Sequence, residues 1–482
     1  MFIQRSFPLF IILLLSIDLF SCLSEKDIPN FAKYYKPAEF SNMDMFSSSA
    51  KYSWTRYKQS DHFFVFWEPG FGDNPNGASV SSDLRVDVDD LLVKAEQFYK
   101  TNTEKIKMVT VGNGKSYLDN YKLEIYLLYS KDWVATGSGY DNKIGALWVT
   151  PATCHPVGAT IAHEIGHTFQ YQVYCDQIFT KQTKEYEFHS GYRYGYEGSK
   201  GGNGFWEQTA NWQSRVDYPG EIFGSYDFNP VWLQNHHRHF EHEWMRYASY
   251  WLHFYWASKH GISVIGEIWR NSKYPEDGIQ TYMRLYNNNN YDEQREELFD
   301  YALKMATFDI DLVRDYSDNY QNLYKTTFYS DGNGYYQIAY GECPGATGFN
   351  VIPLSIPSGN KEITVEFIGL KPGSDLASQD PGKCKIEESE ETVRKYNSIN
   401  KENVGWRYGF VALLKDNSRQ YSKVFSDSQG KATFIVPDIT KRLYFVVQGS
   451  PETYIQSAWD ENEKTDAQFP YKLKFINTGL GK

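Results

Sequence analysis

The sequence has few cysteines and no long apolar run beyond its N-terminus. It contains 5 cysteines among 482 residues, too few for a fold that depends on a dense disulfide framework. After residue 24, no apolar stretch reaches the roughly 20 residues that a membrane-spanning helix needs. The chain must therefore form a hydrophobic core, and a chain of this length that is 41% hydrophobic can do so in two or three domains.

Basic charge is also scarce. The chain has 49 Lys and Arg residues against 60 Asp and Glu residues, which gives a net charge of −11. Because no basic run is present, nucleic acid is excluded as a partner. Aromatic residues are abundant by contrast, at 17% with 39 Tyr. Such tyrosines either contribute to a surface that binds peptide or carbohydrate, or fill cores and sheets.

The first 24 residues have the pattern of a secretory signal peptide. Arg5 precedes an apolar run at residues 7–17, and small residues around Cys22 provide a cleavage site. This run is too short to span a membrane comfortably. We therefore expect a secreted, extracellular protein. The residues before Cys22 also loosely resemble a bacterial lipobox, which would instead make Cys22 a lipid anchor at the cell surface.

The other cysteines predict disulfide bonds, because an even set in a secreted protein is typical of them. Cys154 and Cys175 flank one predicted helix, and Cys343 and Cys384 lie near or within the C-terminal region. The simplest pairing joins Cys154 to Cys175 and Cys343 to Cys384.

The predicted helix at 157–173 contains the motif His-Glu-Ile-Gly-His at residues 163–167. Residues four apart share one helix face, so His163 and His167 can bind one metal ion while Glu164 reaches a water molecule beside it. Apolar side chains occupy the other face at helical spacing: Val157, Ile161, Ile165 and Phe169. A core helix with two hydrogen-bonded histidines is the alternative. The amphipathic pattern favours a zinc site.

A hydrolytic zinc site needs a third protein ligand, which the motif does not supply. We prefer Glu207, because it lies between tryptophans on a second predicted helix that begins after Gly204. Asn211 follows one turn later and can hold a ligand in place. Glu185, Glu187 and Glu197 remain alternative ligands, and Glu207 could also be an ordinary surface carboxylate.

Hydrolysis also needs hydrogen-bond donors that stabilise the developing oxyanion, and candidates lie further along the chain. The candidates are His239, Arg246 and Tyr247. His239 belongs to a histidine-rich stretch at residues 235–242. That stretch also fits a second metal site, a wall of the active site, or a solvated helix start.

The order of predicted elements indicates an α+β protein. Strands are predicted at 62–67, 106–111, 123–129 and 145–150, and helices at 83–101, 205–212, 241–259, 261–271, 276–287 and 292–308. We expect a mixed sheet with an active-site helix and a helical subdomain over residues 61–335, after a polar lead-in at 25–60. Short alternating runs separated by turns predict an all-β sandwich over 336–482.

Two segments near the motif helix have alternative interpretations. The strand at 145–150 either pairs with an extended substrate at the lip of the metal site or is an ordinary core strand. The glycine-rich residues 136–139 before it predict a flexible rim.

The motif around His163 and the pattern G-x-x-E-x-x-x-N that ends at Asn211 together resemble the gluzincin branch of the zincin fold. They are similar to those of enhancin-like, mucin-targeting metallopeptidases. The stretch GALWVTPA…HEIGHTFQYQ also resembles a family of secreted bacterial proteins with a C-terminal β domain, over most of the chain from residue 50. The resemblance implies Zn²⁺ held by His163, His167 and Glu207, with Glu164 as general base.

We therefore expect a secreted zinc metalloendopeptidase that acts on proteins or glycoproteins, with a β domain that binds polysaccharide or braces the catalytic domain. A carbohydrate- or surface-binding protein with a non-catalytic zincin domain is the first alternative. A zinc hydrolase of non-peptide substrates on the same scaffold is the second. The presence of Glu164 favours an enzyme, because a binding protein has no chemical need for it.

Overall fold

A computed structural model describes residues 23–181, 204–224, 227–273, 275–384, 392–457 and 462–481. These residues combine helices with several β-sheets, as expected for an α+β protein. Residues 1–22 of the predicted signal peptide, which include Cys22, lie outside the described residues, as do Glu185, Glu187 and Glu197. Within the described ranges, no helix has the length and apolar character needed to cross a membrane.

The N-terminal sheet has five strands in the order β1-β2-β3-β5-β4. Their bounds are β1 Tyr57–Gln59, β2 Phe63–Trp67, β3 Leu123–Leu127, β4 Ala135–Tyr140 and β5 Ile144–Val149. β2, β3 and β5 are parallel to their neighbours in the centre, and β1 and β4 are antiparallel at the two ends. Every residue of β2 is buried, as is typical of a parallel strand covered on both faces.

The position of β4 corrects two expectations. The segment predicted at 145–150 is β5, which pairs with β3 on one side and β4 on the other. Because both of its edges are used, β5 is a core strand and cannot pair with a substrate. The predicted flexible rim at 136–139 is wrong as well: it is part of β4, the terminal strand of the sheet.

The lead-in at 25–60 packs onto this sheet. Tyr52 and Trp54 are 2% and 3% exposed, and the Trp54 ring meets Phe66 of β2 at a steep angle with centroids 5.1 Å apart. Tyr34 and Phe40 are buried beside them. These residues therefore contribute to the core.

The helices are α1 Val88–Lys100, α2 Ala159–Phe179, α3 Phe205–Asp217, α4 Leu233–Asn235, α5 Trp251–His260, α6 Val264–Arg270, α7 Gly278–Tyr286 and α8 Tyr291–Met305. Helix α2 lies against the sheet, and Ile161, Ile165 and Phe169 on its apolar face are fully buried. The predicted strand at 106–111 is wrong. This segment packs against α6 instead, where a Cβ on Gly266 would come within 2.2 Å of the Ile106 carbonyl oxygen.

Two further sheets form the C-terminal part. Their strands are β6 Phe328–Ser330, β7 Tyr336–Ile338, β8 Phe349–Leu354, β9 Glu362–Gly369, β10 Trp406–Leu414, β11 Arg419–Tyr421, β12 Gln429–Ile435, β13 Thr440–Gly449 and β14 Tyr471–Ile476. One sheet has the order β11-β10-β13-β8 and the other β12-β9-β14-β7-β6. Phe367 of β9 stacks on Tyr408 of β10 with centroids 4.1 Å apart, so the two sheets share a core.

The four-stranded sheet is covered on its other face by the helical part. Tyr301 of α8 meets Phe349 of β8 at a ring-centroid distance of 5.8 Å. Val411 and Val446 belong to the core of the N-terminal part, while Phe410 and Phe445 belong to the core between the two sheets. Because both faces are buried, the central strands of this sheet are continuously apolar.

The predicted disulfides are wrong: the structure contains no disulfide bond among Cys154, Cys175, Cys343 and Cys384. Cys154 precedes α2, whereas Cys175 lies near its C-terminal end. At about 1.5 Å per residue, the helix places Cys175 about 24 Å from its first residue, Ala159, and a disulfide needs Cα atoms within about 7 Å.

Candidate metal centre

His163 and His167 lie one turn apart on α2, and Glu207 of α3 faces both. The two imidazole rings are perpendicular, with centroids 4.6 Å apart. Glu207 Oε2 lies 3.1 Å from His163 Nε2 and 2.9 Å from His167 Nε2. The structure therefore brings the three predicted ligands together around one point.

Gly166 allows α3 to come this close to α2. A Cβ at this position would lie 2.7 Å from Gln213 Oε1 and 3.5 Å from the Ala210 Cα. Gln170 of α2 strengthens the contact, because its side-chain amide donates to the Trp206 carbonyl oxygen and to Gln213 Oε1, each at 3.1 Å. These contacts position Glu207, the residue after Trp206, above the histidines.

Amide oxygens hold the second nitrogen of each histidine. His163 Nδ1 lies 2.9 Å from Asn211 Oδ1, and His167 Nδ1 lies 3.0 Å from Gln170 Oε1. Asn211 Nδ2 donates to the Tyr247 carbonyl oxygen and Gln170 Nε2 to the Trp206 carbonyl oxygen, so both amide oxygens face the imidazoles. Each Nδ1 therefore donates its hydrogen to an amide oxygen, and Nε2 is the atom of each ring that would bind a metal ion.

The charges at this cluster affect the protonation of Glu207 and His167 in opposite directions. Burial acts to raise the pKa of Glu207, but His167 and His163 outweigh it and hold that pKa far below its ordinary value. Burial likewise acts to lower the pKa of His167, but Glu207 outweighs it and raises the pKa. Glu207 thus stays ionised, as a metal ligand must. Two imidazoles and one carboxylate form a donor set that suits zinc.

Glu164 lies beside the ligand cluster. Donor atoms of His163, Glu164 and His167 all lie within 4.8 Å of one another, and the Glu164 side chain is largely buried at 7% exposure. Its carboxylate can therefore contact a small molecule that sits next to the histidine nitrogens.

Tyr247 reaches the same cluster. Its hydroxyl donates to Glu207 Oε1 at 3.0 Å. Burial, followed by the charge of Glu207, raises the pKa of Tyr247 to about 12, so the hydroxyl keeps its hydrogen. Arg246 stacks its guanidinium over the Tyr247 ring at 5.2 Å and donates to the Glu243 carbonyl oxygen at 2.9 Å. Tyr247 therefore contacts the cluster directly, whereas Arg246 contacts Tyr247.

His239 lies elsewhere, in contact with the C-terminal part. Its Nε2 donates to the Ile455 carbonyl oxygen at 3.1 Å, and His242 Nε2 lies 3.1 Å from Asp466 Oδ2. The histidines of this stretch are between 2% and 7% exposed, which contradicts a solvated helix start. They join the helical part to the sheets. Among the described residues, His239 is not one of those that line the cleft beside His163 and His167.

The cluster opens into a cleft of about 790 Å³. Strand β4 forms one wall through residues 135–138, and α3 and Tyr247 form the opposite side. Trp133, which is 65% exposed, stands at the rim. The described residues that line the cleft also include Thr160, Trp206, Arg215, Glu221 and Asp227. A cleft of this volume accommodates several residues of an extended peptide.

Gly137 of β4 fixes the distance between the cleft wall and α2. A Cβ here would lie 2.0 Å from the Glu164 carbonyl oxygen and 2.8 Å from the His167 Cβ. We expect Gly137→Ala to push α2 away from the sheet, to lower the free energy of unfolding by about 1–3 kcal/mol, and to weaken zinc binding. Denaturant unfolding and zinc titration measure both effects.

Gly220→Ala is the matched control, because no atom lies within 4 Å of a Cβ at Gly220. It should leave both quantities unchanged. Wild-type stability and zinc affinity in Gly137→Ala would show that α2 does not depend on this contact.

Comparison with known proteins gives one match. No curated protein and no solved structure matches the chain. The model of a family described as having unknown function matches residues 27–482, a range that includes the histidine cluster, the cleft and both C-terminal sheets. The chain therefore belongs to this family of unknown function, DUF6055.

Proposed function

We propose that this protein is a zinc-dependent metalloendopeptidase of the zincin fold, gluzincin branch. The observation that carries the proposal is the contact of Glu207 Oε2 with both histidine Nε2 atoms, at 3.1 and 2.9 Å. Glu164 beside them supplies the base that hydrolysis needs and that a structural zinc site does not. The resemblance to enhancin-like, mucin-targeting metallopeptidases extends the proposed substrates to glycoproteins.

The fold supports this proposal. A mixed sheet that ends in β4, with the motif helix α2 packed beside it, suits a zincin domain. The C-terminal sheets share one core, which favours a β-sandwich domain. The contacts of His239 and His242 with residues 455 and 466 favour a domain that braces the catalytic part, and a polysaccharide-binding surface on it remains a separate hypothesis.

His163, His167 and Glu207 would hold the ion. Zinc, when bound, polarises a carbonyl group and lowers the pKa of a water molecule. Glu164 accepts a proton from the water that attacks the scissile carbonyl carbon, and it delivers that proton to the amine as the C–N bond breaks. Asn211 and Gln170 keep the two imidazoles in the required tautomer and orientation.

Two further parts of the cleft contribute to binding and catalysis. The Tyr247 hydroxyl retains its hydrogen and donates it to Glu207 Oε1 in this structure; during attack it would turn to donate to the oxygen that becomes negative. Within the described ranges, strand β4 pairs with β5 alone, so its other edge could align an extended peptide by backbone hydrogen bonds.

The experiment measures zinc content and cleavage of casein and mucin by the same purified sample. We expect one zinc per chain, cleavage that stops when a chelator removes the zinc, and recovery when one equivalent of zinc is returned. Zinc without cleavage would favour the carbohydrate- or surface-binding alternative, and cleavage of small amides alone would favour a non-peptide hydrolase. Cleavage that persists without metal would contradict the proposal.

We also propose that the protein is exported. The terminal sequence of the mature chain distinguishes the two routes that the sequence predicts. A free N-terminus near residue 24 indicates cleavage by signal peptidase, whereas a lipidated Cys22 indicates a surface anchor.

A further inference from the structure

Arg215 of α3 is a buried cation in the wall of the cleft. It is only 6% exposed although it lines the cleft. Its Nη1 donates to Asn211 Oδ1 at 2.8 Å and to Ser214 Oγ at 2.7 Å, and its Nε is enclosed without a partner. In the part of the chain that the structure describes, all hydrogen bonds of the guanidinium come from Nη1, and no carboxylate forms an ion pair with it.

Such an arrangement is costly for the folded protein. A buried charge needs a partner of opposite charge to offset its loss of hydration, and the acceptors at Nη1 are neutral. The Tyr250 ring, 5.2 Å from the guanidinium carbon, covers one side and offers only a weak attraction. An anion that enters the cleft would supply the missing partner.

Asp227 also lines the cleft, and the charge of Arg215 acts to lower the pKa of its carboxyl group. Burial raises the pKa of Asp227, and the charges of Arg215, His163 and Arg246 act against that rise. Among the described residues, Asp227 forms no ion pair with Arg215. It leaves the Nη2 of Arg215 available to a ligand.

The guanidinium is close to the metal cluster. Asn211 Oδ1 accepts from Arg215 Nη1 at 2.8 Å and lies 2.9 Å from His163 Nδ1, so a single oxygen connects the two side chains. An extended peptide advances about 3.3 Å per residue. A group held by Arg215 therefore belongs to a substrate residue within about two or three positions of the scissile bond.

We propose that Arg215 binds a carboxylate of the substrate next to the scissile bond, so that the cleft selects peptides with an acidic group at that position. The proposal rests on the proposed peptidase function. Arginine is suited to this task because its planar N–H donors match the geometry of a carboxylate. The carboxylate can come from an Asp or Glu side chain or from the C-terminus of the peptide, in which case the enzyme trims chain ends.

The test measures peptide binding to zinc-loaded Glu164→Gln protein, which separates recognition from cleavage. Peptides of one sequence carry Glu or Gln at each position beside the scissile bond, with a free or an amidated C-terminus. We expect the carboxylate form at one position to bind roughly tenfold or more tightly than its amide. Tighter binding of Glu than of Gln at one position indicates recognition of an acidic side chain. Tighter binding of the free than of the amidated C-terminus indicates trimming of chain ends.

Arg215→Met in the same background should reduce this preference to about one, and Arg215→Lys should keep part of it. Zinc content and thermal unfolding of each variant show whether it is intact. An unchanged preference in an intact Arg215→Met protein would overturn the proposal. If the variant fails to fold, the test is made on Glu164→Gln protein that retains Arg215. Equal binding of carboxylate and amide peptides by this protein would also overturn the proposal.

The two proposals fail in different ways. If the carboxylate preference is present but wild-type protein cleaves no peptide, the peptidase function is wrong while the binding site stands. If wild-type protein cleaves acidic and neutral peptides equally well, the peptidase function stands and the role of Arg215 is wrong.

Discussion

Replacing Glu164 with Gln is expected to lower the rate of peptide cleavage by roughly 10²- to 10⁴-fold while zinc stays bound. The substitution keeps the size of the side chain and removes only its ability to accept a proton. Glu164 touches the histidine cluster, but Glu207 is the carboxylate that contacts both Nε2 atoms. The loss of cleavage activity should therefore appear as a lower kcat, and the zinc content should be unchanged.

Zinc analysis and steady-state kinetics on the same preparation make this comparison. An active Glu164→Gln protein would mean that another group takes the proton. Loss of zinc from the variant would mean that Glu164 is itself a ligand, and the roles of the two carboxylates would be exchanged.

Replacing Glu207 with Gln should weaken zinc binding by more than about 100-fold. Loss of a group that only supports a ligand costs about 10- to 100-fold in metal affinity, and loss of a direct, charged ligand costs more. The variant also removes the ionised partner that raises the pKa of His167. Competition with a chelator of known affinity measures the change.

Glu221→Gln is the matched control, because Glu221 lines the same cleft and loses the same charge. It should bind zinc with wild-type affinity. Wild-type affinity in Glu207→Gln would instead point to Glu185, Glu187 or Glu197 as the third ligand.

Local periodicity predicted the parts of the site that belong to single helices. The spacing of His163 and His167 places them on one face of α2 whatever the rest of the fold, and the apolar stripe through Ile161 and Ile165 marks the face that packs on the sheet. The four-residue spacing of Glu207 and Asn211 likewise places them on one face of α3, which begins after Gly204.

Contacts between distant segments could not be predicted in the same way. Gln170 was missed as a support for His167, although its position three residues later on the same face was a signal. Arg215 was missed because its significance depends on partners that only the fold brings near. The edge position of β4 was missed because its glycine-rich residues have the composition of a loop. In the structure, Gly137 is needed because the backbone of α2 comes close to it.

The histidine-rich stretch was misjudged for a related reason. Its polar composition is typical of a solvent-exposed or metal-binding segment, yet its side chains are buried against the C-terminal sheets. His239 and His242 find their partners at Ile455 and Asp466, more than 200 residues away along the chain. A sequence pattern that is polar locally can therefore belong to a domain interface.

The most direct test of the account is anomalous diffraction at the zinc absorption edge from crystals of the zinc-loaded protein. We predict one strong peak bounded by His163 Nε2, His167 Nε2 and the Glu207 carboxylate. Absence of a peak there, or a zinc ion held only by other residues, would contradict it and would leave α2 as a core helix with two hydrogen-bonded histidines.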